Sequence, residues 1–265
     1  MSKNKIDHMG FCHICGEYRK LTFEHVPPKV ALNNGRTIEY STEEILKSLS
    51  DSNRLPWDRN GIKYKINQKG LGGYTLCDRC NNITGSYYGE EYAKWVFTFM
   101  DFIFKNHDEY LKGNYVKIKL GKLFPGRFIR QLLSIITSNF PTFTQEYPYV
   151  KELILDKNYN YLDEPGFKIY MYLLKYPFYY LSGPMYVVYE NRTKRVDEID
   201  VFPFGFIISF SNEKEKELDI TNFINYGYND QADVELIINI HEKNTIYPLD
   251  YRTQEDIKNM IEEIN

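Results

Sequence analysis

Four cysteines, an acid–imidazole pair and a following asparagine carry the chemistry open to this sequence. Cys12 and Cys15 form one Cys-Xaa-Xaa-Cys pair, Cys77 and Cys80 a second, and together they use every cysteine in the chain. Two such pairs offer four thiolates at the spacing that a closed, tetrahedral Zn²⁺ site favours. The 61 intervening residues exceed the usual ribbon spacing, and the competing reading is a set of independent reduced thiols. Within 21-LTFEHVPPK-29, Glu24 and His25 end a short apolar strand that Pro27 and Pro28 stop from continuing. An imidazole with an ordinary pKa near 6.5 can take a proton from water at neutral pH.

A zinc ion held by all four sulfurs would tie residue 12 to residue 80. The strand ending at Glu24 and His25 would then lie beside the turn 80-CNNITG-85, with Asn81 or Asn82 as the third partner. Closing so long a loop costs an entropy that grows only logarithmically with length, which one metal clip can offset. His13, inside the first pair, reads as a loop residue beside the metal rather than a ligand.

Positioning these groups falls to a small unit with an excursion. Residues 33–70 leave it as a turn-rich stretch with a short helix opening at Ser41, where Glu44 three residues on completes a capping box. After the second cysteine pair, Tyr88, Tyr92, Trp95, Phe99, Phe102 and Phe104 recur at helical spacing and predict one long buried helix over 86–113. A second helix is expected over 126–141, stopped by Pro141. Strands are expected at 167–176, 185–190, 204–210 and 234–240, and a closing helix over 253–264 capped by Thr253.

The combination resembles the HNH endonucleases. A Cys-Xaa-Xaa-Cys pair, a strand ending in acid-His-Xaa-Pro, and a Cys-Xaa-Xaa-Cys-Asn opening a helix are that family's pattern, here over about residues 10–105. The resemblance implies an α+β chain in which an N-terminal zinc-stabilised ββα-metal (HNH-like) unit, residues 1–112, precedes a mixed helix and antiparallel β-sheet domain, residues 113–265. It also implies roles. His25 becomes the general base that activates water, and Glu24 and Asn81 become ligands of a catalytic Mg²⁺ or another divalent cation. Cys12, Cys15, Cys77 and Cys80 hold the structural Zn²⁺. The reaction implied is phosphodiester hydrolysis, with DNA as the partner ahead of RNA. One position departs from the pattern: the family's middle Asn, which restrains the catalytic loop, falls on Gly72, with Asn67 as an outside substitute. The alternative is a non-catalytic zinc module that binds nucleic acid or protein.

Composition bounds the rest. Apolar residues at 43% and charged residues at 26% describe a globular chain, and 24 Tyr with 17 Phe imply aromatic-rich cores or grooves. No apolar run is long enough for a membrane span and the N-terminus has no signal-peptide core, so a cytoplasmic location is expected, where cysteines hold metals rather than disulfides. Residues 1–83 carry 13 Lys and Arg against 9 Asp and Glu, an excess that permits a phosphate-binding face without demanding one. Lys29, Arg36, Lys63, Lys65, Lys69 and Arg79 could line that face or be scattered solvated charge. Tyr87 and Tyr88 could stack on bases, though packing is the expected role, and His107 and His241 are expected to be structural. The C-terminal part carries no motif. It is expected to regulate or target the unit before it by binding a second copy, an activating protein or a ligand, and antiviral defence is an expectation by association alone.

Overall fold

Three strands pair antiparallel around the segment that bears Glu24 and His25: β1 (Met9–Phe11), β2 (Tyr18–His25) and β5 (Gly72–Cys77), in the order β1-β2-β5. The structure is a computed structural model, and it describes residues 7–49, 54–161, 163–189, 192–211 and 213–264. Between β2 and β5 runs the excursion, made of β3 (Thr37–Tyr40), α1 (Thr42–Ser48) and β4 (Tyr64–Asn67), with β3 and β4 paired antiparallel. Ser41 caps α1 as its sequence predicts, its hydroxyl accepting from the Glu44 amide at 3.2 Å.

The aromatic segment after the second cysteine pair is not one helix. It breaks into α2 (Asp78–Tyr87), α3 (Gly89–Lys105) and α4 (His107–Lys112). Tyr88 and Asn106 interrupt it with φ near −120°, outside the helical range. The break at Tyr88 lets its ring sink completely into the core, where its hydroxyl donates to the Ile154 carbonyl at 2.8 Å.

Beyond β6 (Tyr115–Leu123) comes α5 (Pro125–Asn139), the helix expected from its sequence, with Pro125 at its first turn. α6 (Phe143–Glu146) and α7 (Pro148–Leu155) follow. The remaining strands are β7 (Lys168–Leu174), β8 (Tyr179–Leu181), β9 (Met185–Tyr189), β10 (Arg192–Val201), β11 (Phe204–Ser209), β12 (Leu218–Asp219) and β13 (Ala232–His241). With β6 they form one eight-stranded sheet in the order β6-β13-β7-β11-β10-β8, in which β12 also pairs with β7 and β9 with β10. The antiparallel sheet expected from the sequence is a mixed one, because β13 runs parallel to β7 where Ile240 and His241 meet Leu173 and Leu174. The chain closes on α8 (Gln254–Ile264), where the Thr253 hydroxyl accepts from the Asp256 amide as a cap should.

α5 is the hub between the two sheets. Thirteen of its fifteen residues are buried, among them Arg130, whose guanidinium is fully covered and spends its donors on the carbonyls of Leu153, Gly126, Tyr226 and Tyr159. Phe128 stacks on Trp95 of α3 with ring centroids 4.2 Å apart. One continuous buried cluster runs from Cys12, Leu76 and Cys80 through α3 and α5 to Ile169 and Phe206 of the large sheet. Residues on both sides of position 112 contribute to it. Among the described residues no helix is long and apolar enough to cross a membrane.

Candidate metal centre and the adjoining strand end

The first cysteine pair sits in a tight turn after β1. The Cys12 amide donates to the Glu17 carbonyl, the Gly16 amide to the Cys12 carbonyl, and Gly16 takes the left-handed φ of 74° that this turn needs. The second pair straddles a helix start: Cys77 is the residue before α2 and Cys80 lies in its first turn. The antiparallel register of β2 on β5 sets Leu21 opposite Cys77 and so brings the two pairs together.

All four sulfurs lie within 4.8 Å of one another, with Cys15 and Cys77 3.9 Å apart. Four ligands at the Zn–S distance of about 2.3 Å on a tetrahedron stand about 3.8 Å apart, so the arrangement fits the ion. None of the four is in a disulfide, and Cys12, Cys77 and Cys80 are buried. The Cys12 thiol is pulled down to about 4, first by its hydrogen bond with Cys80, whose own pKa is pushed up by the same contact. Crowded thiols share one negative charge in this way, and a bound cation is what allows all four to ionise together. His13 points elsewhere, as expected: its Nδ1 donates to the Ser138 carbonyl at 2.8 Å and pins the first turn to α5.

Asn81 reaches β2. Its amide nitrogen donates to Thr22 Oγ1 at 3.0 Å and to the Phe23 carbonyl at 3.1 Å, closing the gap where the β2–β5 ladder slips by one residue. Asn82 is exposed. Glu24 faces the interior, 3% exposed, and its carboxylate accepts from Thr75 Oγ1 at 3.1 Å, from Ser138 Oγ and from Ser134 Oγ at 3.5 Å. Burial raises its pKa to about 7, against the pull of those hydroxyls.

His25 leaves the strand on the other face, half-buried. Its ring meets Phe23 edge-on at 5.1 Å, and Phe23 in turn meets Tyr74 at 5.6 Å. Its pKa is lowered, chiefly by burial and further by the charges of Lys29 and Lys69, while a hydrogen bond to the Lys69 backbone works the other way. A contact that favours the protonated ring is one the ring donates, here towards the Lys69 backbone. The other nitrogen is then an acceptor at neutral pH.

The loop behind His25 is held by a residue that the sequence did not single out. Asn33 is buried, donates to the carbonyls of Pro27 and Leu71 at 2.7 and 2.8 Å, and accepts from the Leu71 amide at 2.7 Å. It staples the Pro27–Pro28 corner to the strand carrying Gly72. Asn67, the outside substitute, instead donates to Glu39 on the excursion. Gly72 is dictated by space: an added Cβ would collide with the Glu24 carbonyl oxygen, and its φ of 151° disfavours other residues.

Lys29, Arg36, Lys63, Lys65, Lys69 and Arg79 are all exposed. Tyr88 packs, His107 is exposed beside Asp108, and His241 bonds Glu217 at 3.0 Å while stacking on Tyr251. On the large sheet, Asp197, Glu198 and Asp200 of β10 are fully buried, with Lys243 at 2.8 Å from Glu198 and Tyr172 donating to Glu198 and Asp200. The strands expected from the sequence skip 192-RTKRVDEIDV-201, so this cluster was not foreseen.

Fold and site together define a mixed α+β protein with a buried four-cysteine centre suited to zinc. No protein family, curated protein or solved structure matches the chain.

Proposed function

We propose that this chain is an HNH-like endonuclease that hydrolyses phosphodiester bonds, DNA first among its substrates, with His25 as the general base. The observation that carries the reading is His25 itself: a half-buried ring at the end of β2 whose burial favours the neutral form, close enough to Lys29 and Lys69 to feel their charges. Those two cations would draw a phosphate to the strand end. The free ring nitrogen takes a proton from water as its oxygen attacks phosphorus, and the P–O bond to the departing oxygen breaks, that oxygen taking a proton from solvent water. Asn33 supports this by holding the loop that fixes the ring.

The divalent cation that the resemblance implies belongs to this reading, but the donors as arranged do not fit it. Both Glu24 oxygens already accept from hydroxyls, and the carboxylate is buried and near its pKa at neutral pH. The Asn81 amide is tied to β2. A hard cation that keeps several waters needs open carboxylate oxygens, which this arrangement does not offer.

That same mismatch favours a second reading, a zinc-stabilised module that binds nucleic acid without cutting it. Phe11, Tyr18 and Tyr74 on the small sheet are exposed at 67%, 60% and 41% and would serve as stacking surfaces. The test is plasmid nicking with added Mg²⁺ or Mn²⁺, wild type against His25→Ala, alongside a gel-shift on the same DNA. Cleavage by the wild type alone supports the nuclease; equal cleavage by both removes His25 from the chemistry. Retained shift with no cleavage selects the binding module.

A further inference from the structure

A cavity of about 650 Å³ opens where the excursion folds back onto the edge of the large sheet. β3 and the start of α1 enclose it on one side, and β8 with the end of β10 on another. Residues 71–73 of the β5 segment and the last turn of α5 complete the wall. Its volume is that of an ordinary small-molecule site, about 300–1,000 Å³.

Three of the residues lining it carry a buried side-chain atom with no hydrogen-bond partner: Thr37 Oγ1, Asn139 Nδ2 and Asp200 Oδ2. Asp200 is wholly buried, and its other oxygen accepts from Tyr172 at 2.5 Å. Buried polar atoms are paired in folded proteins almost without exception, because an unpaired one carries its full desolvation cost. A hydroxyl, an amide donor and a carboxyl oxygen on residues of one cavity wall, each covered until its side chain turns inward, suit a ligand that both donates and accepts hydrogen bonds. The remaining lining is suited to a flat ring, with Tyr40, Phe178 and Tyr180 among it. Arg59 adds a cation to the wall, its guanidinium 5.9 Å from the centre of the Tyr40 ring. A planar, hydrogen-bonding ring joined to an anion answers all of these features.

We propose that the cavity binds a mononucleotide, its base read by Thr37, Asn139 and Asp200 and its phosphate paired with Arg59. Its wall includes Val26 and Gly72, the chain neighbour and strand partner of His25, but its occupancy is a binding event that does not depend on the nuclease reading.

Thermal shift and calorimetry on the full chain decide it, using AMP, GMP, CMP and UMP, the four parent nucleosides, and inorganic phosphate as probes. At least one mononucleotide is expected to bind at one per chain and raise the melting temperature. Arg59→Ala should weaken the nucleotide by about tenfold or more while leaving its nucleoside unchanged, and Asn139→Ala should weaken both. Circular dichroism and zinc content confirm that each variant is folded, and should Asn139→Ala fail that check, the half-exposed Arg59 position decides alone. Absence of binding by all four nucleotides overturns the proposal. So does binding that Arg59→Ala leaves unchanged, or binding that inorganic phosphate reproduces.

Discussion

Glu24 and His25 are chain neighbours whose side chains leave β2 in opposite directions, the carboxylate into a nest of hydroxyls from β5 and α5, the imidazole towards Lys29 and Lys69. Alternation along a strand makes this the default outcome for any adjacent pair. Two jobs that look like one motif in the sequence are therefore separated by the thickness of a sheet.

The buried Glu24 makes stability depend on pH with a definite sign. Its folded pKa of about 7 lies above the ordinary carboxylate value of 4.5, so the folded state holds the proton more tightly than the unfolded chain does. Its favourable contribution is complete below the unfolded value and is lost as pH rises through about 7. Urea unfolding of the wild type should weaken by about 2 kcal/mol between about pH 5.5 and pH 8 relative to Glu24→Gln, whose side chain does not titrate. Parallel curves for the two proteins would show that Glu24 is not held as described.

Asn33 makes three buried hydrogen bonds to backbone groups of two segments. Asn33→Ala would strand the Pro27 and Leu71 carbonyls and the Leu71 amide, for an expected loss of about 2–4 kcal/mol in urea unfolding. Asn67→Ala, on the exposed excursion, should change stability by less than about 0.5 kcal/mol. If the two variants were equally stable, the loop would have to be held by something else.

How much of this was legible follows from where each signal resides. The cysteine pairs were readable because metal ligation fixes residue type and local spacing; the clip they form sets Asn81 against β2, where it bonds Thr22 and Phe23 rather than Glu24 or His25. α5 and α8 were readable because the stop at Pro141 and the cap at Thr253 are local signals. Asn33 was not, because a buried asparagine that pairs with carbonyls of a distant segment carries no mark of it in its neighbours. β10 was missed for the same reason: Glu198 looks solvated until Lys243, Tyr172 and Tyr251 close on it from other strands and loops. The breaks at Tyr88 and Asn106 were hidden by an aromatic period that continues straight through them.

The four-sulfur geometry sets a stoichiometry. Mass spectrometry of the purified chain should find about one zinc per molecule, and Cys80→Ser should reduce it well below one, since a closed site tolerates no lost thiolate. Chelation should lower the melting temperature, because metal binding is folding free energy for the segments it joins. A zinc-free chain with unchanged melting temperature would leave β1, β2 and α2 held by packing alone.

His25 gives the last expectation its sign. A lowered folded pKa means the ring is neutral, and competent as a base, further into the acid range than an ordinary histidine near 6.5. If cleavage depends on that ring, the rate should climb with pH to a plateau whose midpoint lies below 6.5, and His25→Ala should cost about a hundredfold or more. Lys69 supplies both a backbone contact and an opposing charge, and substitution separates the two. Lys69→Gln keeps the backbone contact and removes the charge, so the midpoint should move up while the plateau persists at somewhat weaker substrate binding. A midpoint unmoved by Lys69→Gln would mean that burial alone sets the ring's proton affinity, and that the lysine serves the phosphate rather than the base.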